Sequence, residues 1–317
     1  MKYVVITKND AGQRVDKFLL KTFETLPKSL MFKEIRKKNI KVNKKRCAPD
    51  QILTEGDLIE LYLKDEVLQK RSVHYDFLSA PKNLNIVYED ENILLMNKPQ
   101  GMLCHPDKSE YVNTLLSSMK RYLYEKGEYK PEDENSFSPA LVNRIDRNTC
   151  GIVIGTKNAE ALRILADKIK KREVQKFYLT IVCGTPKKAS DTLTAYLIKD
   201  EKRNMVTLLD TKTDGAKRIE TRYKLLDSAG GYSLLEIELL TGRTHQIRAQ
   251  MAKIGHPLLG DGKYGKTHGR YRQELCSYKL RFTFGDGENA LSYLSGREFS
   301  LSDNPVSNKF AEIKNEA

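Results

Sequence analysis

Asp146 sits between Arg144 and Arg147 in the stretch Asn143-Arg144-Ile145-Asp146-Arg147-Asn148-Thr149-Cys150-Gly151. Flanking guanidinium groups favour the charged form of a carboxyl and lower its pKa. An acid held ionised suits nucleophilic attack or ion pairing better than proton donation. A salt-bridged surface turn has the same local pattern, so this charge arrangement alone leaves both readings open.

Three further clusters combine reactive side chains with turn-forming residues. Asn97-Lys98-Pro99-Gln100-Gly101-Met102 follows a strand and makes a tight turn into Leu103-Cys104-His105-Pro106. Lys176-Phe177-Tyr178-Leu179 lies in an apolar strand, where alternation puts Lys176 and Tyr178 on the face opposite Phe177. In Leu239-Leu240-Thr241-Gly242-Arg243-Thr244-His245-Gln246-Ile247-Arg248, Gly242 permits an abrupt turn from strand to helix, and Gly255 can end that helix. Ile247, Met251 and Ile254 give it an apolar stripe, while His245 and Arg248 share another face. Arg243 and His245 near a helix start suit a phosphate.

The elements that must position these groups fall into two parts. Up to about Lys70 the pattern is a small α+β module. Val15, Phe18, Leu19 and Phe23 follow helical spacing, and a second helix begins near Pro27 with Ser29 as candidate N-cap. Lys33, Arg36 and Lys37 share one face of that helix. Ile40 to Val42 and Leu58 to Leu63 read as strands. Residues 12–50 hold 12 Lys or Arg against 4 Asp or Glu. Together with Lys41, Lys44, Lys45 and Arg46 this makes a basic patch suited to phosphates. A polar linker over 71–83 leads to a second part rich in strands: Ile86–Tyr88 with Ile93–Met96 as a hairpin, Val174–Cys183, Leu193–Ile198, Met205–Leu208, Ile219–Leu225 and Tyr232–Leu240. Residues 125–137 read as a loop, and Asn158 caps a helix carrying Leu162, Leu165 and Ile169. Many strands with few helices predict an α+β fold with a mixed, mainly antiparallel sheet and flanking helices. The polar end, 304–317, reads as a frayed tail.

Composition narrows the partners. The net charge of +13 favours a polyanion. No run of 18 apolar residues occurs, and the N-terminus turns polar too soon for a secretory signal. Five scattered cysteines without a Cys-x-x-Cys pair suggest a reducing, cytoplasmic setting. The dispersed histidines give no ligand pair, so neither metal nor cofactor is expected. A monomer is expected.

The Asp146 stretch resembles the His-Arg-Leu-Asp-x-x-Thr-Ser-Gly signature of the RluA-type family of RNA pseudouridine synthases, with Asn143, Ile145 and Cys150 as departures. The other three clusters resemble the family's remaining elements in the same order, except that Met102 and Cys104 depart from the Asn-Lys-Pro-x-Gly-Leu-x-Val-His-Pro element. The run Gly255-His256-Pro257-Leu258-Leu259-Gly260-Asp261-Gly262-Lys263-Tyr264-Gly265 looks like the family's continuation, a binding-loop and packing element. Arg14-Val15-Asp16-Lys17, the basic helix, Ile40-Lys41-Val42-Asn43 and Gly56-Asp57 are similar to the S-four-type RNA-binding domain.

This resemblance implies an S-four-type domain over 1–70 and a synthase catalytic domain over 84–303. It implies conversion of uridine to pseudouridine, with large-subunit ribosomal RNA as the favoured substrate and base flipping as the means of access. Asp146 would be the catalytic residue, Arg248 its partner, and Tyr178 the stacking residue, with a base role also open to it. Arg144 would fill the vacated base stack. Arg147, Lys176, Arg243 and His245, with Lys33, Arg36, Lys37 and Lys41 of the front module, complete the RNA-contacting set. The alternatives are a non-catalytic ribosome- or RNA-binding protein that retains the synthase fold, and a nucleic-acid hydrolase. The hydrolase is disfavoured by the missing metal-ligand cluster.

Overall fold

The structure is a computed structural model and describes residues 1–70, 72–200, 203–265, 272–285 and 287–317. The front module contains β1 (Lys2–Val5), α1 (Val15–Thr22), α2 (Lys28–Arg36), β2 (Ile40–Val42), β3 (Lys45–Arg46) and β4 (Leu58–Leu61). Its antiparallel sheet has the order β1-β4-β2-β3. Val15, Phe18, Leu19 and Phe23 are all buried, so the helical spacing seen in the sequence is the inner face of α1. On α2, Met31 and Ile35 face this core, while Lys33, Arg36 and Lys37 are exposed. The helix starts earlier than the sequence suggested. Pro27, at φ −67° and ψ 138°, is the N-cap rather than Ser29, because its ring fixes an extended entry just before Lys28.

Among the described residues, the larger part is built on one sheet of eleven strands. Its strands are β5 (Ile86–Glu89), β6 (Ile93–Lys98), β7 (Ala140–Leu141), β8 (Cys150–Thr156), β9 (Val174–Cys183), β10 (Ser190–Asp200), β11 (Met205–Leu209), β12 (Lys217–Ala229), β13 (Tyr232–Leu239), β14 (Leu275–Phe282) and β15 (Glu298–Ser300). The order is β11-β10-β12-β13-β9-β14-β8-β6-β5, with β7 on β8 and β15 on β14. Every pairing is antiparallel except β8 with β14. The helices are α3 (Leu115–Glu125), α4 (Ala159–Lys170), α5 (Gln246–Lys253) and α6 (Pro305–Glu316). The α+β class read from the sequence is the observed one.

The β8–β14 pair passes behind the site, and one residue permits it. Gly151 has φ +112°, and a Cβ there would lie 2.2 Å from the Ser277 carbonyl oxygen. Any side chain would push apart the two strands that flank the Asp146 loop.

Two terminal or linking segments depart from expectation. The tail is not frayed: Asn304 caps α6 through its side chain, Pro305 occupies the first helical position, and Val306 and Phe310 bury against Cys150, Leu179, Ile181 and Cys276. The segment 71–83 contains a short 3-10 turn, Asp76–Ser79, whose Phe77 packs edge-on to Tyr124 and joins the core of the larger part. Among the described residues, no helix is long and apolar enough to cross a membrane.

Candidate active site

A cleft of about 280 Å³ opens where the β7–β8 loop, β9 and the start of α5 meet. Arg144 and Asp146 reach it from the loop, Lys176 and Tyr178 from β9, and Arg243, His245 and Arg248 from the β13–α5 turn and helix. The three elements are far apart in sequence, and the sheet order brings them together because β9 lies between β13 and β14, with β8 next.

The Asp146 loop is held by groups from the Lys98 turn. Lys98 is fully buried and donates to the carbonyl oxygens of Pro99 at 2.9 Å, Met102 at 2.8 Å and Arg147 at 3.1 Å. Burial pushes its pKa down to about 8, against the opposing charges of Cys104, Cys150 and Asp146. The Gly101 N–H donates to the Arg147 carbonyl at 2.8 Å, and the Thr149 N–H closes a turn on the Asp146 carbonyl at 3.1 Å. The Cys104 sulfur bridges the N–H and C=O of Ile145, both at 3.4 Å. The Asn143 side chain accepts from the Ile154 N–H at 2.8 Å. Two of the departures from the family pattern, Cys104 and Asn143, are therefore backbone anchors of this loop.

Asp146 is one-quarter exposed at the cleft wall. Its Oδ2 accepts from Arg248 Nη1 at 3.4 Å and lies 3.8 Å from His245 Nε2. Arg248 has a tighter partner that the sequence reading passed over. Its Nε and Nη2 both donate to Asp261, each at 2.7 Å, and Asp261 is wholly buried. Asp261 also accepts from the backbone N–H of Lys263 at 2.9 Å and Tyr264 at 3.1 Å. Burial alone would raise the Asp261 pKa, but the Arg248 hydrogen bonds and charge hold it below the usual carboxylate range. Arg248 is thus clamped in one orientation and presents its remaining nitrogen to Asp146.

His245 closes the turn into α5. It adopts φ +52° and ψ 18° at the N-cap of α5, so it, and not Gly242, takes the left-handed conformation of the turn. Its ring is buried, with Nδ1 3.0 Å from the Tyr264 hydroxyl. Burial lowers its pKa, with Asp146 opposing and Arg248 adding to the effect. The ring thus lines the cleft as a buried hydrogen-bonding group beside Asp146.

Gly242 packs beside Lys176: a Cβ there would make only an ordinary 3.6 Å contact with Lys176 Nζ. Burial depresses the Lys176 pKa, and Lys176 has no ion-pair partner among the described residues. Burial raises the phenol of Tyr178 far above its ordinary value, so it is protonated at neutral pH. That environment suits a stacking ring or a hydrogen-bond donor. Arg243 and Arg144 are exposed at the mouth. Arg147 lies outside the cleft lining, where its Nε donates to the Gly101 carbonyl at 3.1 Å. Ile254, expected in the apolar stripe of α5, is exposed, while Ile247 and Met251 are buried.

The family described as RNA pseudouridylate synthase matches residues 92–253, a span that includes all four clusters. Ribosomal large subunit pseudouridine synthase C of Escherichia coli is 31% identical over 302 residues, covering 91% of each chain. Ribosomal large subunit pseudouridine synthase D of Borreliella burgdorferi is 32% identical over 294 residues, covering 88% of this chain and 85% of that one. The chain belongs to the RNA pseudouridine synthase family. This synthase also shares its fold with the human RNA pseudouridylate synthase domain containing 4. That structure has a TM-score of 0.57 at 16% identity, over 72% of this chain and 92% of the human one. The RluA-type resemblance read from the four clusters is thereby shown. The enzyme class that follows is an isomerase acting on RNA uridine.

Proposed function

We propose that this synthase isomerises uridines of large-subunit ribosomal RNA, with Asp146 as the reacting carboxylate, acting as a cytoplasmic monomer. The names of the relatives support the substrate. The basic front module supports it independently, because Lys33, Arg36 and Lys37 form one exposed face without ion-pair partners among the described residues. In this reading residues 1–70 are the S-four-type domain, and the catalytic domain begins near residue 84, with Phe77 of the preceding segment packed against its core.

In the reaction, the glycosidic C–N bond breaks, the uracil rotates, and a C–C bond forms to the same sugar. The uracil C5 hydrogen is lost as a proton, and the freed ring nitrogen regains one. A stacked base must first be extruded, at a cost of a few kcal/mol. Stacking on Tyr178, phosphate contacts through Lys176 and Arg243, and Arg144 filling the vacated stack offset that cost. Arg248, fixed by Asp261, orients the Asp146 carboxylate. Attack at the anomeric carbon, attack at uracil C6 and proton removal at the neighbouring sugar carbon all start from this side chain.

The observation that carries the reading is the Asp146 carboxylate in the cleft, 3.4 Å from an arginine that is itself held in place. The test is incubation of the full chain with unmodified ribosomal RNA, followed by carbodiimide mapping. New stops at one or a few uridines support the proposal. Binding without stops points instead to a non-catalytic RNA-binding protein, and strand scission to a hydrolase.

A further inference from the structure

Asp10 lies in the loop between β1 and α1, far from the cleft residues in sequence, yet it is completely buried. Both of its oxygens are bonded. Within the front module, Oδ2 accepts from the Thr7 hydroxyl at 2.9 Å. From the catalytic part, Oδ2 accepts from Asn135 Nδ2 at 2.8 Å and Oδ1 from the Ser136 hydroxyl at 2.7 Å. Neighbouring contacts follow the same seam. Asn9 donates to Glu134 at 2.6 Å and accepts the Ala159 N–H, at the start of α4, at 3.1 Å. Gln13 donates to Ser136 at 2.9 Å, and Lys70 to Asn135 at 3.0 Å. The missing Cβ of Gly12 leaves space that Arg163 of α4 fills.

Modules joined by a short linker and a polar interface move relative to each other unless something pins them. A buried carboxylate that takes directional hydrogen bonds from both sides is such a pin, because few relative orientations satisfy it and each unmade bond leaves a buried polar group. We propose that Asp10 is a positioning residue that locks the basic front module onto the catalytic domain, so that one RNA is gripped by α2 while its uridine enters the cleft. This rests on the RNA-modifying function proposed above. It implies that the enzyme discriminates in favour of RNAs large enough to touch both parts, and that the lock acts on substrate capture, not on the chemical step.

The test uses the full chain and a long ribosomal RNA fragment that contains the mapped uridine. Activity of the parent protein on that fragment checks the underlying reading by itself. Asp10→Ala is expected to raise KM about tenfold, with kcat within about twofold. Its radius of gyration by small-angle scattering should also rise. The exchange Asp10→Asn with Asn135→Asp restores a carboxylate–amide pair across the seam. It should recover KM and compactness where each single substitution does not. An active parent with unchanged KM in Asp10→Ala, a loss confined to kcat, or an exchange that fails to rescue would overturn the inference.

Discussion

Arg248 gives two of its N–H groups to Asp261 at 2.7 Å and offers a third to Asp146 at 3.4 Å. The arginine is therefore bound first to a buried structural carboxylate and only second to the proposed catalytic one. This ordering makes sense physically. A bidentate pair fixes the guanidinium plane before substrate arrives, so the orientation of Asp146 needs no rearrangement during reaction.

Asp261→Ala should lower folding stability by about 3–5 kcal/mol, because it leaves the Arg248 charge buried without its main partner. Turnover should fall with it, although Asp261 does not reach the substrate cleft. Arg248→Lys should fail similarly, since an ammonium cannot reproduce two parallel bonds to Asp261 while reaching Asp146. Urea unfolding and single-turnover rates measure the two effects. Near-parental turnover in both variants would show that Asp146 needs no held cation.

Lys98 gives a pH dependence of defined sign. Its folded-state pKa is about 8, below the ordinary 10.5, with burial as the largest cause. Between those values the unfolded chain keeps the proton that the folded chain has released, so stability rises with pH across that window. Relative to Lys98→Met, the parent protein should gain on the order of 3 kcal/mol between about pH 8 and 10.5. Urea titrations at three pH values test this, and a constant difference between the two proteins would refute it.

The front module's grip on RNA is electrostatic if the exposed face of α2 carries it. Replacing Lys33, Arg36 and Lys37 together with Gln should reduce the slope of log affinity against log salt by about 2–3. An unchanged slope would mean that these side chains only face solvent.

The C-terminal helix should behave as part of the core. Phe310→Ala should cost about 3–5 kcal/mol in folding stability, by cavity formation against Leu179 and Ile181. A loss below about 0.5 kcal/mol would return this segment to the status of a loose tail.

Asp146, Tyr178 and Arg248 were singled out by the resemblance of their clusters to the RluA-type elements, since the local chemistry of each also fits a structural role, and the fold brings all three to one cleft. The same reading overlooked Asp261, set among glycines 13 residues beyond Arg248, because its role exists only once the loop folds back onto α5. The left-handed conformation of His245 was hidden for a related reason: nothing in a histidine announces a positive φ, whereas Gly242 looked suited to it. Other misses were within reach. Asn304 followed by Pro305, with Val306, Phe310 and Ile313 at helical spacing, is a capped amphipathic helix that a polar composition obscured. Thr114 followed by Leu115, Met119 and Leu123 is the same signal for α3. The strand β14 could not be recognised by alternation, since Ser277 and Lys279 flank a register shift against β9.

The most direct measurement is pseudouridine formation by Asp146→Ala and Asp146→Asn in the full chain on ribosomal RNA that the parent protein modifies, together with RNA affinity. Turnover should disappear in both variants while affinity falls less than about tenfold, a loss of under about 1.4 kcal/mol in binding. Measurable turnover in either variant would contradict the central role given to that carboxylate.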